Sequence, residues 1–291
     1  MGSDTPERLE PGRLPTALPA PLPARSAAPL GGVLACPHCG LELRLSPSGA
    51  ACPTGHSFDR GRGGYLNLLV GGRLSAGTTP GDTPDALAAR RRFLHAGHYS
   101  PIAGALAQAV GAPDGPVLDV GCGEGYYLAQ LPLPDRYGLD VAKSAVQMAA
   151  RLLPDAQFVV GSAYRLPVLA GSVAVVTSVF APHPFEEFER VLRPGGRWVT
   201  VTPGPDHLRE MRPVLSGESE RKANERMQRR ALAPAEAAGA HRLTFQLQLS
   251  AESLGDLFFM TPIRWQAGAT GGTATAGRTV TVDVWVSSSQ R

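Results

Sequence analysis

The sequence predicts an α/β fold on a mainly parallel sheet, preceded by a small metal-nucleated module. Three observations predict it. Apolar runs of strand length alternate with helical stretches from residue 116 onward, a glycine-rich turn follows the first of those runs, and three of the four cysteines fall before residue 53. With 291 residues and 43% hydrophobic content, the chain can bury one substantial core and one small accessory unit.

Residues 1–34 are rich in Pro and Ala, as in Pro15–Pro23 and Ala24–Pro29, and are expected to be a flexible tail. No apolar run is long enough for a membrane helix and no secretion signal is legible, so a cytoplasmic protein with no membrane partner is expected. The net charge of +3 is only mildly basic and does not by itself require a polyanionic partner. Lysine occurs only at Lys143 and Lys222, so nearly all positive charge is arginine. That skew runs through the entire chain and cannot be credited to one site.

The front module spans residues 35–72. Cys36-Pro-His-Cys39, twelve intervening residues and Cys52-Pro-Thr-Gly-His56 give the spacing C-x2-C-x12-C-x3-H. A short turn aims two thiolates at one point, and a second turn carrying Cys and His completes the tetrahedron that zinc prefers. Pro37, Gly40, Pro53 and Gly55 permit the tight turns. Four protein ligands, Cys36, Cys39, Cys52 and His56, leave no open position, so the metal is expected to be structural. Unpaired or disulfide-linked cysteines are the alternative, which the spacing and the absent secretion signal disfavour. His38, between two ligands, is a poorer candidate than His56.

Residues 73–108 are a linker and a helix carrying Arg90, Arg91 and Arg92; residues 109–291 form the α/β domain. Within it, Val117–Val120 reads as a buried strand, Tyr126–Leu131 as the start of a helix, and Tyr137–Asp140 as the end of a second strand. Ser144–Leu153 has helical spacing with Ser144 as its N-cap, and Phe158–Gly161 is strand-like. Val173–Val179 is a strand, Glu186–Leu192 a helix, Arg193–Gly196 a turn, and Trp198–Thr202 a strand.

The chemistry starts at Leu118-Asp119-Val120-Gly121-Cys122-Gly123-Glu124-Gly125. Glycines at the carboxyl end of a first strand let backbone approach a ligand closely, and Asp119 can order the loop or accept hydrogen bonds from the ligand. One strand later, the carboxylate of Asp140 can take both hydroxyls of a ribose. The pattern D-x-G-C-G-x-G, with Leu192-Arg-Pro-Gly-Gly-Arg-Trp198 later, resembles class I S-adenosylmethionine-dependent methyltransferases. That resemblance implies a Rossmann-like, mainly parallel seven-stranded sheet. The tip Ser178-Val-Phe-Ala-Pro182 has no cysteine for covalent catalysis and no Asn/Asp-Pro-Pro-Tyr/Phe motif for exocyclic amines, and Cys122 is not expected to be a nucleophile.

More specific stretches accompany these loops: His56-Ser-Phe-Asp59, Gly64-Tyr-Leu-Asn-Leu-Leu69, Pro80-Gly-Asp82, Ala89-Arg-Arg-Arg-Phe-Leu94, Ala96-Gly-His-Tyr99, Thr202-Pro-Gly-Pro205, His207-Leu208 and Met260-Thr-Pro262. Together they resemble the bacterial 23S ribosomal RNA guanine-N1 methyltransferases that modify hairpin 35 in domain II, from Cys36 to about Trp285. Residues 216–242 match poorly. The resemblance implies zinc on the four ligands above and S-adenosylmethionine contacted by Tyr99, by Gly121, Cys122, Gly123, Glu124, Gly125, Tyr126 and Tyr127, and by Asp140 and His207. It also implies a homodimer whose zinc modules help form an RNA cleft. Ser162 stands where many methyltransferases direct an aspartate at the adenine, so backbone near Ser162 and Ala163 is expected to do that work. A contribution to resistance against macrolides such as tylosin is a further implication, and which of two neighbouring guanines is the target stays open.

Arg60, Arg62 and Arg90–Arg92 lie where phosphate contacts could hold RNA over the cofactor. On spacing alone, Arg90–Arg92 read as a solvated helix face with partners such as Asp85, and Tyr99 as a packed loop aromatic. The cluster Arg221, Lys222, Arg226, Arg229 and Arg230 is interleaved with Glu218, Glu220 and Glu225 and reads as i,i+4 pairing. Guanine N1 is protonated at neutral pH, so a proton must leave; His183 and Asp206 are candidate acceptors, and the sequence does not choose. A small-molecule methyltransferase with a structural zinc appendage and a noncatalytic RNA-binding protein are the competing readings.

Overall fold

The computed structural model describes residues 32–70, 83–211, 240–263 and 277–291. Residues 1–31 of the tail, the stretch Pro80–Asp82 and the Arg221–Arg230 cluster lie outside the described residues, whereas Val33 and Leu34, expected in the tail, are buried.

Strands β1 (Arg44–Leu45), β2 (Gly49–Ala51) and β3 (Ser57–Asp59) form a small antiparallel sheet at the front. A short strand, β4 (Leu66–Asn67), follows it. Helices α1 (Pro84–His95) and α2 (Ser100–Val110) lead into β5 (Val117–Val120), α3 (Tyr126–Ala129), β6 (Arg136–Asp140), α4 (Lys143–Leu152), β7 (Gln157–Val160), β8 (Val173–Val179), α5 (Phe185–Val191) and β9 (Leu192–Pro203). The chain closes with β10 (His241–Leu249), α6 (Ala251–Met260) and β11 (Arg278–Gln290).

The large sheet has eight strands in the order β10-β11-β9-β8-β5-β6-β7-β4. Seven belong to the α/β region and the eighth is β4, contributed by the front module. β4 to β9 run parallel, whereas β11 lies antiparallel to β9 and to β10. Every residue of β5, β7 and β8 is buried, as continuous apolar strands covered on both faces require. One face packs Phe93, Ile102 and Leu106 of α1 and α2 with Val146 of α4; the other packs Phe188 and Val191 of α5 with residues of the front module. The strand order reverses between β5 and β8, which are hydrogen-bonded neighbours with Asp119 opposite Thr177. The crevice beyond their carboxyl ends is the natural ligand position of such a sheet.

The front module is sewn to this sheet. Leu66 and Asn67 pair with Val159 and Val160 of β7, and the Leu34 and Val168 backbones form a further bridge. Leu34, Leu43 and Leu66 are at most 2% exposed and share a core with Leu118 and Val120 of β5. Burial of each such side chain contributes about 2 kcal/mol.

Two local expectations change. Helix α4 starts at Lys143 with Ala142 at the cap, because the Asp140 carboxylate accepts from the Ala142 N–H at 2.8 Å; Ser144 already lies inside the helix and is not its cap. Arg193–Gly196 lies within the span of β9 as an irregularity where the register with β8 slips between Val173 and Val175. Among the described residues no helix is long and apolar enough to cross a membrane.

Candidate active site and metal centre

The two turns of the front module bring four ligand atoms, one each from Cys36, Cys39, Cys52 and His56, within 4.8 Å of one another. His56 Nδ1 stands 3.6 Å from Cys36 Sγ and 3.3 Å from Cys52 Sγ, and the Cys39 and Cys52 sulfurs are 3.7 Å apart. Zinc–sulfur bonds of about 2.3 Å place the corners of a tetrahedron about 3.7 Å apart, so the donor set fits zinc in type and size. His38 stacks on His56 at 4.8 Å and is not part of the cluster. The Thr54 hydroxyl, which sequence reasoning missed, lies 3.0 Å from Cys52 Sγ and 3.2 Å from Cys39 Sγ. Its hydrogen bond lowers the Cys39 thiol from its ordinary value, favouring the thiolate that a metal needs.

At the carboxyl end of β5, Gly121, Gly123 and Gly125 all adopt left-handed backbone, with φ of 78°, 54° and 86°. A Cβ on Gly121 would stand 2.3 Å from that of Ala181, so this loop and the β8 tip touch only because the position is glycine. Asp140 closes the loop from the next strand, accepting the Gly123 N–H at 2.9 Å. Asp119 is 2% exposed and accepts the Thr177 hydroxyl at 2.8 Å; burial pushes its carboxyl up to about 7. Of the two roles open to it, its burial favours ordering the loop. Cys122 is buried and its thiol is pushed up by burial, in keeping with an inert side chain.

The buried hydroxyls of Tyr99 and Tyr127 have no hydrogen-bond partner among the described residues. Burial raises both phenols, so they stay protonated and can donate. Two unanswered donors beside a glycine cradle fit a ligand carrying a carboxylate and hydroxyls, as S-adenosylmethionine does. Ser162 and Ala163 follow β7 and are half-buried. Ser162 borders a cavity of about 430 Å³ that is also lined by Cys36, Pro37 and Gly40 of the metal module.

An aromatic group lies at the same end of the sheet. Phe180 follows β8 and its ring is 6.0 Å from Tyr99 and 5.5 Å from His207. Phe180 and Leu208, with φ of 53° and 54°, are the only non-glycine residues with left-handed backbone among the described residues. Such a conformation costs about 1 kcal/mol each and marks positions held by their surroundings. Of the two candidate proton acceptors, Asp206 is ion-paired with Arg242 at 2.9 Å, and burial holds His183 down at about 4. Neither is arranged as a base for an acid as weak as guanine N1.

The arginines separate. Arg60 is half-buried and donates to Ser46 O at 3.0 Å, to Gly64 O and to Gln157 Oε1 at 2.9 Å, so it ties the module to β7. Arg92 pairs through its Nε at 3.0 Å with Asp256 of α6, not with Asp85. Arg90 reaches the cofactor loop, its Nη1 lying 3.5 Å from where a Gly123 Cβ would be. Arg62 and Arg91 are exposed.

A family model described as "Methyltransferase domain" matches residues 117–196, and one described as "RlmA, N-terminal", a zinc ribbon, matches residues 34–70. The chain is 40% identical over 244 residues to a 23S rRNA (guanine(748)-N(1))-methyltransferase of Streptomyces fradiae, which covers 80% of this chain and 85% of that protein. It is 42% identical over 205 residues to a putative 23S rRNA (guanine-N(1)-)-methyltransferase of Micromonospora griseorubida, covering 61% and 68%. A putative enzyme of the same description from Bacillus subtilis is 29% identical over 252 residues, covering 80% and 86%. The α/β region is thus an S-adenosylmethionine-dependent methyltransferase domain and the front module a Cys3His zinc ribbon. A relative 40% identical over 80% of the chain and 85% of its own length, together with the zinc-ribbon match, means that the chain belongs to the 23S rRNA guanine-N1 methyltransferase family.

Proposed function

We propose that the protein transfers a methyl group from S-adenosylmethionine to N1 of a guanine in 23S rRNA, the guanine numbered 748 in the name of its Streptomyces relative. The observation that supports this most strongly is the 40% identity to that relative over four-fifths of the chain. Action on ribosomal RNA carries a cytoplasmic location with it. Pairing of two chains, so that two zinc ribbons border one RNA cleft, completes the proposal.

The cofactor supplies an electrophilic methyl on a sulfonium centre. The chain supplies the alignment. Gly121, Cys122, Gly123, Glu124, Gly125, Tyr126 and Tyr127 form the loop that cups the cofactor, Asp140 holds the ribose, and Ser162 and Ala163 face the adenine. Tyr99 and Tyr127 offer their protonated hydroxyls, while His207 lines the side of the site toward β11. The ribbon, fixed by Cys36, Cys39, Cys52 and His56, shares a cavity with Ser162, where bound RNA would be held near the cofactor. Arg62, Arg90 and Arg91 remain as phosphate ligands, with Arg92 shared between RNA and Asp256.

The test is methyl transfer from labelled cofactor to 23S rRNA taken from a strain that lacks the modification, mapped by primer extension. A stop at the target guanine is expected, because N1 methylation blocks pairing. Label in a metabolite and none in RNA would establish the small-molecule reading instead.

A further inference from the structure

We propose that Tyr164 is a stacking platform for an unpaired base of the substrate RNA near the target guanine, with Arg165 answering the adjoining phosphate. The proposal deepens the 23S rRNA guanine-N1 reading and rests on it.

Position comes first. Residues 162–165 form a tight turn just beyond β7, where the Gly161 N–H donates to Asp140 O at 3.0 Å and the backbones of Ser162 and Arg165 pair. Ser162 and Arg165 line the cavity shared with the ribbon, and Arg165 Nη2 donates to Pro37 O of the ribbon at 3.4 Å. The turn therefore joins the end of the sheet that carries Asp140 to the zinc module, the two parts that the proposed function brings to the RNA.

A lone aromatic at a surface is ordinary, and its exposure alone assigns nothing. Tyr164 differs in how it is held. Ser162 Oγ accepts the Tyr164 N–H at 3.2 Å and Ser162 O accepts the Arg165 N–H at 3.3 Å, so the turn is closed from within. Directly after it, the Leu166 N–H donates to Glu187 Oε2 at 2.7 Å, and Glu187 is itself clamped by Arg190 Nε at 2.7 Å. Pro167 O then accepts the Ala35 N–H at 2.9 Å. The backbone on the far side of the turn is thus tied to α5 and to the ribbon. The Tyr164 side chain, by contrast, is 72% exposed, more than any other large hydrophobic side chain among the described residues. A ring projecting from a fixed backbone has less freedom to lose when a ligand lies on it.

RNA is the ligand whose chemistry fits. Hairpin loops splay unstacked bases, and every base has a π-face that an aromatic ring can cover. Arg165, exposed and next in the chain, sets a cation beside the path of the stacked nucleotide's phosphate. A platform reads no base edge. It supplies grip and register for the RNA and leaves the choice of guanine to the methyl-transfer site.

The experiment uses the full zinc-loaded chain and 23S rRNA from a strain that lacks the modification. Transfer by the wild type tests the parent reading alone; no transfer there overturns both. Tyr164→Ala should raise KM for the RNA about 5- to 150-fold, the range of base–aromatic stacking, with kcat, the thermal midpoint and cofactor affinity by calorimetry unchanged. Tyr164→Phe and Tyr164→Trp should keep the wild-type KM, because the ring and not the hydroxyl holds the base. Arg165→Ala should reduce the slope of log affinity for RNA against log salt by about one, a slope that Tyr164→Ala leaves alone. The proposal is overturned if Tyr164→Ala keeps the wild-type KM, if Tyr164→Phe loses as much as Tyr164→Ala, if the loss comes with weaker cofactor binding or a lower thermal midpoint, or if Arg165→Ala leaves the slope unchanged.

Discussion

Asp119 is a carboxyl placed where water does not reach, accepting one hydroxyl from Thr177. Its value rises from 3.8 when free to about 7 in the fold. Between those values the folded chain holds a proton that the unfolded chain has lost, so this residue's contribution to stability declines as pH rises through that window. A bound ligand bearing positive charge favours the carboxylate. S-adenosylmethionine should therefore bind more tightly as pH rises from 6 to 8, and at pH 6 binding should release nearly a full proton from Asp119. Calorimetry in two buffers of different ionisation heat measures it; equal heats, or release that survives Asp119→Asn, would refute the assignment. The Asp119 position was legible from the loop pattern, whereas its burial was not, because Thr177 arrives from a strand 58 residues on. Phe180 shares that limitation, since it carried no local signal of its left-handed backbone.

Strands β5 and β8 were read to the residue, since a parallel strand covered on both faces is a continuous apolar run. Strands β10 and β11 were not assigned from the residues, although Leu243, Phe245, Leu247 and Leu249 alternate as a half-covered strand should. The α4 start was misread because the helix begins at Lys143 with Ala142 at its cap and no capping side chain, so Ser144 lies inside it. For the ribbon, ligand spacing was enough to find the metal, and nothing local foretold β4. Since β1–β3 span two or three residues each, the metal holds them together. Cys36→Ser with Cys52→Ser should release zinc and raise amide exchange across residues 36–60, while cofactor binding persists because the glycine loop stands on β5. Unchanged exchange after metal loss would show that the sheet alone supports the ribbon.

At the scale of the molecule, charge is distributed by task. Arg60 and Arg92 were grouped with Arg62, Arg90 and Arg91 by sequence, yet Arg60 ties the ribbon to β7 and Arg92 ties α1 to α6. A run of like residues cannot announce which members are tied to another element; that depends on the partners Gln157 and Asp256, both far along the chain. Arg91→Ala and Arg62→Ala should each reduce the slope of log affinity for RNA against log salt by about one. Arg60→Ala should leave that slope alone and lower the thermal midpoint. A slope change for Arg60 with no loss of stability would return it to the RNA face.

The pairing of β4 with β7 also bears on solubility. Leu66 and Asn67 occupy the flank of the main sheet, where Val159 and Val160 would otherwise present unanswered amides and carbonyls. The ribbon is thus a hem as well as a metal holder. A chain that lost its zinc before folding would leave that flank open to a neighbouring molecule, so metal supply during synthesis bears on whether the protein stays dispersed.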